Sequence, residues 1–360
     1  MKKKIVHFIF NLGRGGAETM IVRVIRELPE FEHTVVTLFP LNNFGPELVC
    51  DKLICLNLHS LFGLPFAVLK FRKLVRIEKP DIVHTHLFWP TVIARAALPR
   101  KIALITTIHT FFASSVEGQH WYILFLEKLT YRFRKSIIIF VAKGAISEYF
   151  SFLHLKPCKS YVLYTFVDTE RFHIRQPLDS AGSGTFRVIS VGALRKQKNY
   201  AHLVDAFASL QDLPIELDIY GSGDLETQLT KQIALTGARV VLKGEVRNIE
   251  SVIPEYDLYI MSSFFEGFSL SVLEAMAMGM PLLLSDIPSF REQCGSSADY
   301  FSLHDLKDLT RKLVKLSGMS KPALNAIGEE GRRLAIGQFT LPHHVEGLRR
   351  IYADALAEHN

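Results

Sequence analysis

The chain has 360 residues, of which 48% are apolar and 22% are charged, and its formal net charge is +6. This composition is typical of a globular protein and excludes a disordered one, and the length fits two α/β domains better than a single core. No apolar stretch reaches the roughly 20 residues that cross a bilayer. The short apolar run after Met1–Lys4 has no cleavage site behind it, so it predicts a first strand and not a signal peptide.

Charge and cysteine content narrow the possible partners. The positive charge favours anionic partners such as nucleotide phosphates or an acidic membrane surface, and it is too weak to indicate nucleic acid. The four cysteines are scattered and form no C-x-x-C pair. We therefore expect a cytoplasmic protein without a disulfide framework or a structural zinc of the cysteine type.

Short β-branched runs alternate with segments of helical period along the whole chain, which predicts βαβ units and parallel sheets. Strands are predicted in the first half over Lys4–Phe10, His33–Phe39, Lys52–Leu56, Asp81–Thr85, Ala103–Ile108, Ser136–Val141 and Ser160–Leu163. In the second half they are predicted over Phe186–Val191, Ile215–Tyr220, Val240–Leu242, Asp257–Met261, Pro281–Ser285 and Asp299–Ser302.

A polar segment separates the two sets of strands and ends in small residues, Ser180–Gly184. Domain boundaries fall in such linkers. We therefore predict a first domain over residues 1–167, a linker over 168–185 and a second domain over 186–340, followed by a last helix over about 342–358.

A glycine-rich turn, Gly13–Glu18, follows the first strand, where backbone amides and a helix N-terminus favour a phosphate. Gly15 and Gly16 are therefore candidate phosphate-binding residues. A dinucleotide-binding fingerprint would have a third glycine where Glu18 stands and a carboxylate after the second strand. Neither is present, so a dehydrogenase is disfavoured. A turn that needs glycine only for packing is an equally good interpretation.

The second domain carries the most informative segment, in which the strand ending at Met261 leads into a turn and then a helix that begins near Ser269. The amides of Phe268–Leu270, after Gly267, would point at an anion held at that helix N-terminus. Glu266 and Glu274 lie on either side of this point, at the edge where open α/β sheets bind ligands. Because each carboxylate accepts hydroxyl hydrogen bonds, the pair suits a neutral polyol beside the anion.

These motifs occur together with others in a fixed order. They are the glycine-rich turn, the two glutamates and three further segments, Val191–Asn199, Tyr220–Leu225 and Ser285–Pro288. The whole chain thereby resembles family 4 of the retaining glycosyltransferases, also called glycosyltransferase group 1. The resemblance implies the GT-B fold: two Rossmann-like, doubly wound α/β domains with a donor-binding interdomain cleft, and a C-terminal helix that crosses back to the first domain.

The resemblance also implies residue roles. Glu274 would hold the nucleotide ribose, Glu266 the hydroxyls of the donor sugar, and Lys198 the diphosphate. Family members have an arginine just after the glycine at Gly192, whereas this chain has Ala193, and we expect Arg195 to take its place because a guanidinium has the reach and the geometry for a diphosphate. A solvated basic loop is the alternative for Arg195 and Lys198. The remaining predicted donor contacts are Gly192, Gly221, Val246, Gly267, Phe268, Ser269 and Leu270, with Val246 placed where the backbone would read the base.

In the first domain, the resemblance places His109 against the donor sugar near its reacting carbon or primary hydroxyl. His86 is a candidate contact to donor or acceptor, and His84 and His86 are expected to face opposite ways on their strand. A metal site at these histidines is conceivable. The family works without metal, however, and no carboxylate cluster lies nearby, so no metal and no cofactor are predicted.

The predicted reaction is transfer of a hexose from a nucleotide-diphosphate sugar, with UDP favoured over GDP, to a saccharide or lipid-linked acceptor. The resemblance implies retention of the anomeric configuration, and no carboxylate nucleophile is evident, so attack on the face of the leaving group is expected, with preorganised charges stabilising the diphosphate. Synthesis of a surface polysaccharide or a glycolipid is the family-level expectation. A nucleotide-sugar epimerase, a phosphorylase-like enzyme and a non-catalytic nucleotide-sugar-binding protein are the alternatives.

The acceptor side of the first domain is rich in aromatic residues, for most of which core packing is the expected role. Two helical segments are basic and could dock on the anionic inner face of the membrane, and two ordinary solvated helix faces are an equally good interpretation. The aromatic residues are Phe88, Trp89, Phe111, Phe112, Trp121, Tyr122 and Phe125. The basic ones are Lys70, Arg72, Lys73, Arg76 and Lys79 in one segment, and Lys128, Arg132, Arg134 and Lys135 in the other.

Overall fold

A computed structural model of the chain describes residues 2–13, 15–58, 60, 63–109, 111–112, 120–174 and 184–359. It consists of two compact units, which we call unit 1 (Met1–Thr165 and Leu341–Asn360) and unit 2 (Phe166–Thr340). The chain thus passes from unit 1 to unit 2 after Thr165 and returns after Thr340. Most of the small residues that end the predicted linker, Ser180–Ser183, lie outside the described residues.

The described part of unit 1 forms one seven-stranded parallel sheet in the order β3-β2-β1-β4-β5-β6-β7. Its strands are β1 (Lys4–Ile9), β2 (Glu32–Thr37), β3 (Lys52–Cys55), β4 (Ile82–His86), β5 (Ala103–Ile108), β6 (Ile137–Phe140) and β7 (Ser160–Val162). Its helices are α1 (Gly16–Arg26), α2 (Leu64–Glu78), α3 (Phe88–Ala97), α4 (Trp121–Phe133), α5 (Lys143–Leu153) and, from the end of the chain, α13 (Leu341–Ala357).

The C-terminal helix α13 belongs to unit 1 because its apolar face packs on β4 and β5. Val345, Leu348, Ile351, Tyr352 and Ala355 on this face are all buried, at the three- and four-residue spacing of one helix face. The helix therefore closes one side of the unit 1 sheet.

The described part of unit 2 forms a six-stranded parallel sheet in the order β10-β9-β8-β11-β12-β13. Its strands are β8 (Phe186–Val191), β9 (Ile215–Tyr220), β10 (Val240–Gly244), β11 (Leu258–Met261), β12 (Leu282–Ser285) and β13 (Asp299–Phe301). Its helices are α6 (Tyr200–Ala208), α7 (Glu226–Thr236), α8 (Ile249–Val252), α9 (Leu270–Ala277), α10 (Pro288–Cys294), α11 (Leu306–Ser317) and α12 (Lys321–Gln338).

Both sheets have the doubly wound order in which the direction of winding reverses beside the first strand. In unit 1 the reversal lies between β1 and β4, and in unit 2 between β8 and β11. Each predicted strand overlaps an observed one, and the two-sheet α/β fold class is confirmed. In open α/β sheets ligands bind outside the carboxyl ends of the strands at this reversal, so we expect functional residues at these two places.

Candidate functional site

In unit 2 the carboxyl ends of β8 and β11 carry a buried ion pair. Lys198, in a short 3-10 helix after β8, donates from Nζ to Oε1 of Glu266, in the loop after β11, over 2.7 Å. Ser263 Oγ donates to the same carboxylate oxygen at 2.6 Å. The two charged side chains are only 15% and 9% exposed. The structure thus brings together the two residues to which the resemblance assigns diphosphate and sugar roles.

Hydrogen bonds to backbone carbonyls hold the two loops that carry this pair. Ser262 Oγ donates to the carbonyl oxygens of Lys198 and Asn199, each at 2.9 Å. Gln197 Nε2 donates to the carbonyl of Phe265, and the amide of Phe264 donates to that of Gln197, each also at 2.9 Å. The lysine and the glutamate are therefore held in place before any ligand arrives, as preorganised charges must be.

The glycines that follow β8 and β9 have a packing reason of their own. Gly221 has φ +141, and a Cβ on it would lie 2.1 Å from the carbonyl oxygen of Gly192. A Cβ on Gly192 would lie 2.9 Å from the hydroxyl of Tyr200 and 3.1 Å from Cε of Lys198. Close approach of these two turns explains both glycines, and their predicted donor contact stays a prediction.

At the start of α9, one amide predicted to bind an anion already has a partner. The amide of Ser269 donates to Oε1 of Gln293 at 3.0 Å, and Gln293 Nε2 donates back to the Ser269 carbonyl at 2.9 Å. The expectation that all three amides of Phe268–Leu270 face an anion is therefore wrong for Ser269, because a buried amide side chain satisfies it. The side chain of Phe268 packs against the ring of Phe339, with ring centroids 5.0 Å apart.

Glu274 lies one helical turn into α9 and is half-buried. A hydrogen bond from Arg171 to Glu250, with the charge of Glu274 as a further contribution, raises the pKa of Arg171. This guanidinium, Ser263 and Gln293 are site residues that the sequence analysis missed. A single serine, glutamine or arginine outside a known motif carries no spacing signal.

Among the other predicted residues of unit 2, Arg195 and Val246 lie at the surface and Gly267 is buried. Arg195 is exposed and forms no ion pair with any described residue, so its guanidinium can turn towards a ligand. Val246 is 38% exposed, in the loop after β10. Gly267 lies in the buried turn between Glu266 and α9.

In unit 1, α1 begins at Gly16 with Gly15 as its N-cap, as the glycine-rich turn predicted. Arg14 of that turn lies outside the described residues. A Cβ on Gly15 would lie 2.4 Å from a carboxylate oxygen of Glu18, and burial raises the pKa of Glu18. The folded-back carboxylate takes up the space beside the N-cap, which supports the packing interpretation of this turn.

A cavity of unit 1 lies beside His109 and measures ≈ 100 Å³. Its polar lining comprises Thr91, Thr106, Thr107, His109, Glu127 and Tyr149. Burial and the nearby charge of His344 lower the pKa of His109 to about 4, so the ring is neutral at pH 7. Thr110, next in the predicted motif, lies outside the described residues.

Glu127 in this cavity pairs with Arg95 of α3, and both side chains are almost fully buried. Arg95 Nη1 donates to Glu127 Oε1 at 2.6 Å, and the Tyr149 hydroxyl donates to the same oxygen. Burial alone would lower the pKa of Arg95, but the carboxylate reverses this and holds it above its usual value. Sequence analysis missed this group because its members lie on three helices.

Leu87, which follows β4 and lines the same cavity, has φ +69 and ψ 170. Non-glycine residues reach this region at a cost of about 1–3 kcal/mol and do so mainly at functional sites. The strained residue lies between His86 and α3, so we expect the carboxyl end of β4 to be a functional position.

The expectation that His84 and His86 face opposite ways is wrong. Residues two apart on a strand share a face, and the two rings lie with centroids 4.2 Å apart. His7 of β1 lies opposite His84 in the sheet register and joins them. All three are buried beneath α13, where Tyr352 shares a hydrogen bond with His84 Nδ1 at 2.9 Å.

The structure also corrects the surface expectations for unit 1. Phe88 and Phe112 are buried, but Trp121, Tyr122 and Phe125 of α4 are exposed, contrary to the expected core packing. Arg134 is not available for docking, because it is buried and donates to the carbonyls of Leu98 and Ile102. In α2, Lys70 and Arg72 are likewise held by backbone carbonyls.

Two sequence profiles match the chain. Residues 14–171 match Glycosyltransferase Family 4 and residues 185–318 match Glycosyl transferases group 1. The chain belongs to this family of glycosyltransferases.

Two curated relatives and one solved structure are similar over most of their length. The N-acetylgalactosamine-N,N'-diacetylbacillosaminyl-diphospho-undecaprenol 4-alpha-N-acetylgalactosaminyltransferase of Campylobacter jejuni is 28% identical, over 79% of this chain and 81% of its own. The UDP-Gal:alpha-D-GlcNAc-diphosphoundecaprenol alpha-1,3-galactosyltransferase of Escherichia coli is 24% identical, over 84% and 82%. Anabaena HepE, solved with UDP and glucose, superposes with a TM-score of 0.83 at 16% identity over 98% of this chain and 100% of its own. The chain has the GT-B fold. Among the described residues, no helix is long and apolar enough to cross a membrane.

Proposed function

We propose that the protein transfers a hexose from a UDP-sugar to a lipid-linked saccharide and retains the anomeric configuration. Unit 2 would bind the donor, and the observation that carries this proposal is the buried pair of Lys198 and Glu266 at the reversal of the unit 2 sheet. A cation and a carboxylate held there suit a ligand with a diphosphate at one end and sugar hydroxyls at the other.

Before donor binding the two charges neutralise each other. A diphosphate beside Lys198 would draw the ammonium towards itself, and this would leave Glu266 to accept hydroxyl hydrogen bonds from the sugar. Arg195 adds a second cation with no ion-pair partner among the described residues. Glu274, further along α9, would accept the ribose hydroxyls.

These cations would stabilise the negative charge that develops on the leaving diphosphate. We therefore expect the transfer to need no divalent ion bound to the donor. Preorganised donors of this kind are typically worth about 3–4 kcal/mol each. We expect activity to survive EDTA once the protein is folded, and loss of transfer that Mg²⁺ or Mn²⁺ restores would contradict a metal-independent reaction.

We infer retention from the resemblance to the retaining glycosyltransferases of family 4. Glu266 is assigned to the sugar hydroxyls and Glu274 to the ribose, so neither carboxylate is assigned as a nucleophile. The acceptor hydroxyl would then attack from the side on which the diphosphate leaves. NMR of the first-formed product tests this directly, and a β-linked product from an α-linked donor would refute it.

The names of two similar proteins favour UDP over GDP as the donor nucleotide. The Escherichia coli relative is named for UDP-Gal, and HepE was solved with UDP and glucose. An isothermal titration of the protein with UDP and GDP separates the two, and tighter binding of GDP would overturn the choice of base.

Thermal shifts with the same nucleotides test the donor site. A ligand at a hundred times its dissociation constant stabilises the folded state by about 2.7 kcal/mol. Glu274→Ala and Lys198→Ala should lose that shift, while Glu226→Ala and Lys231→Ala, both exposed on α7, should keep it. If no nucleotide stabilises the wild type, or if the two site variants behave as their controls do, the donor site is misassigned.

Turnover distinguishes a transferase from its alternatives. A transferase consumes the donor sugar in step with glycosylation of an acceptor, and Lys198→Ala should lower kcat by about 10²–10³-fold, as loss of one preorganised donor does. An epimerase would convert the donor sugar without an acceptor. A non-catalytic binding protein would bind the nucleotide and release it unchanged.

A lipid-linked acceptor agrees with the surface of α4. Trp121, Phe125, Leu129 and Phe133 follow one another at four-residue spacing, which is one face of a helix, and all four are exposed. Lys128 and Arg132 lie on the same helix. An apolar ridge with basic neighbours is typical of a helix that lies in an anionic membrane interface.

Flotation with vesicles tests this docking. Vesicles with anionic lipid should carry the wild type, and Phe125→Ser combined with Phe133→Ser should release it. Leu235→Ser is the control, because Leu235 is 87% exposed on α7 of unit 2. Equal flotation of the α4 variant and the control, or no flotation of the wild type, would end the membrane proposal and leave the donor site untouched.

A further inference from the structure

Three histidines of unit 1 meet beneath α13, away from the donor residues of unit 2. Potential ligand atoms of His7, His84 and His86 all lie within 4.8 Å of one another. Their side chains are 2%, 3% and 2% exposed. The sheet itself brings them together, because His7 and His84 are register partners on β1 and β4, and His86 shares the face of His84.

Hydrogen bonds fix the tautomer of His7. The Leu28 carbonyl can only accept, so His33 Nε2 carries a proton and donates to it at 2.9 Å. In the neutral form of the His33 ring, Nδ1 then carries no proton. His7 Nε2–H must then donate to that nitrogen at 3.1 Å, which leaves the Nδ1 of a neutral His7 with a free lone pair.

That lone pair has no hydrogen-bond partner, although it is buried. His86 is in the same position, because its Nε2 is buried without a partner while its Nδ1 lies 3.4 Å from His109 Nε2. An unsatisfied buried polar atom costs about 1–3 kcal/mol and therefore needs an explanation. His84 has a hydroxyl on each ring nitrogen, Tyr352 at 2.9 Å and Thr107 at 2.7 Å. Whichever nitrogen bound another group, the opposite one would keep a hydroxyl.

The space beside these rings is small. The cavity lined by His7, His84, His86, Thr107, His344 and Tyr352 measures ≈ 20 Å³. This is room for one water molecule or one ion, and too little for an organic ligand. The occupant must therefore be a small body that accepts the lone pairs of several imidazoles.

We propose that His7, His84 and His86 bind one divalent transition-metal ion, of which Zn²⁺ is the representative. Three neutral imidazoles are an established zinc ligand set, whereas hard ions such as Mg²⁺ and Ca²⁺ prefer carboxylate and carbonyl oxygens, and the residues that line this cavity include no carboxylate or amide side chain. The second nitrogen of each ligand is already oriented by a hydrogen bond, to His33, to His109 or to a hydroxyl, which is the outer arrangement that metal-binding histidines need. The ion would link β1 to β4 under α13 and stabilise unit 1, and it is separate from any ion on the donor diphosphate.

Metal titration of the untagged full-length chain tests the site. The protein is freed of metal with a chelator, then loaded with Zn²⁺ or Co²⁺ both by dialysis and by refolding, so that slow access cannot hide binding. We expect elemental analysis by mass spectrometry to give one Zn²⁺ per chain. The Co²⁺ form should show the visible spectrum of a four-coordinate site, and X-ray absorption should report imidazole ligands. If the wild type binds no metal after dialysis and none after refolding, the proposal is overturned and a single buried water is the occupant.

Variants then locate the ion. His7→Gln and His86→Gln should each weaken metal binding at least about tenfold, since even loss of an outer partner weakens such sites by 10–100-fold. His202→Gln is the matched control, because His202 Nε2 in unit 2 is also a buried nitrogen without a partner but belongs to no histidine cluster among the described residues. Unchanged affinity in both cluster variants, or equal loss in the control, would overturn the assignment. Circular dichroism of the metal-free variants shows whether they fold, and the wild-type X-ray absorption decides the question if they do not.

Discussion

The buried pair of Arg95 and Glu127 offers the sharpest test of the energetics of unit 1. The two side chains are 0% and 4% exposed, and Arg95 Nε and Nη2 have no hydrogen-bond partner. Glu127→Leu would leave the guanidinium buried without a counter-charge, which costs about 3–5 kcal/mol. The Tyr149 hydroxyl would lose its acceptor as well, for about 1 kcal/mol more. We expect a loss of about 4–6 kcal/mol in the free energy of unfolding of unit 1.

Removing both charges should recover most of that loss. Buried ion pairs can often be replaced by apolar side chains of similar volume with little effect or even a gain in stability. The double variant Arg95→Met, Glu127→Leu should therefore be at least about 3 kcal/mol more stable than Glu127→Leu alone. Glu127→Gln is a milder substitution for use if the leucine variant does not fold.

Tryptophan fluorescence during urea unfolding measures unit 1 selectively. The chain has two tryptophans, Trp89 and Trp121, and both lie in unit 1. The pair Glu346 and Arg350 on α13 is the control, since its side chains are 53% and 77% exposed and its removal should cost less than about 1 kcal/mol. The reasoning is refuted if Glu127→Leu costs no more than this control, or if the two charge deletions simply add.

Three further predictions concern both units. Gly221→Ala should destabilise unit 2 by about 2–4 kcal/mol through strain and a backbone clash. Gly244 also has positive φ, but the space around its Cβ is open, so Gly244→Ala should cost about 1–2 kcal/mol. Urea unfolding followed by far-UV circular dichroism distinguishes the two variants. His344 has a pKa of about 4 when buried and about 6.5 when unfolded, so its contribution to stability is complete above pH 6.5 and falls by about 2 kcal/mol by pH 5; with EDTA present, a tryptophan-monitored midpoint that does not fall between pH 7 and pH 5 would refute this. Gln293→Ala leaves the buried amide of Ser269 unpaired, whereas the Ser269 carbonyl still accepts from the amide of Leu273; the variant should cost about 1–3 kcal/mol of unit 2 stability and weaken UDP binding by calorimetry, and an unchanged Kd would show that the start of α9 is not part of the donor site.

The sequence by itself determined the α/β class and the strands, and it predicted donor residues of unit 2. Strands and helices differ in the period of their apolar residues, and this period is local. Lys198 and Glu266 could be predicted because each belongs to a short motif that the resemblance covers and that follows a strand, where parallel sheets bind their ligands. The predicted strands are correct within a few residues at each end for the same reason.

Only the tertiary structure decided which helix faces are buried. Residues around much of α4 are apolar, so periodicity could not tell that Ile123 would face the sheet while Trp121 and Phe125 face solvent. The pair of Arg95 and Glu127 was missed for a related reason, since a buried charge looks in the sequence like any solvated one. Burial depends on what packs against a helix, which a local pattern does not contain.

The histidine cluster shows the same division. His84 and His86 were visible in the sequence, but His7 joins them from a strand almost 80 residues earlier, and Tyr352 from a helix 268 residues later covers them. Sheet register and the docking of α13 on the sheet bring these side chains together. Because both are long-range contacts, the sequence carried the ligands of the proposed metal site and only the fold assembled them.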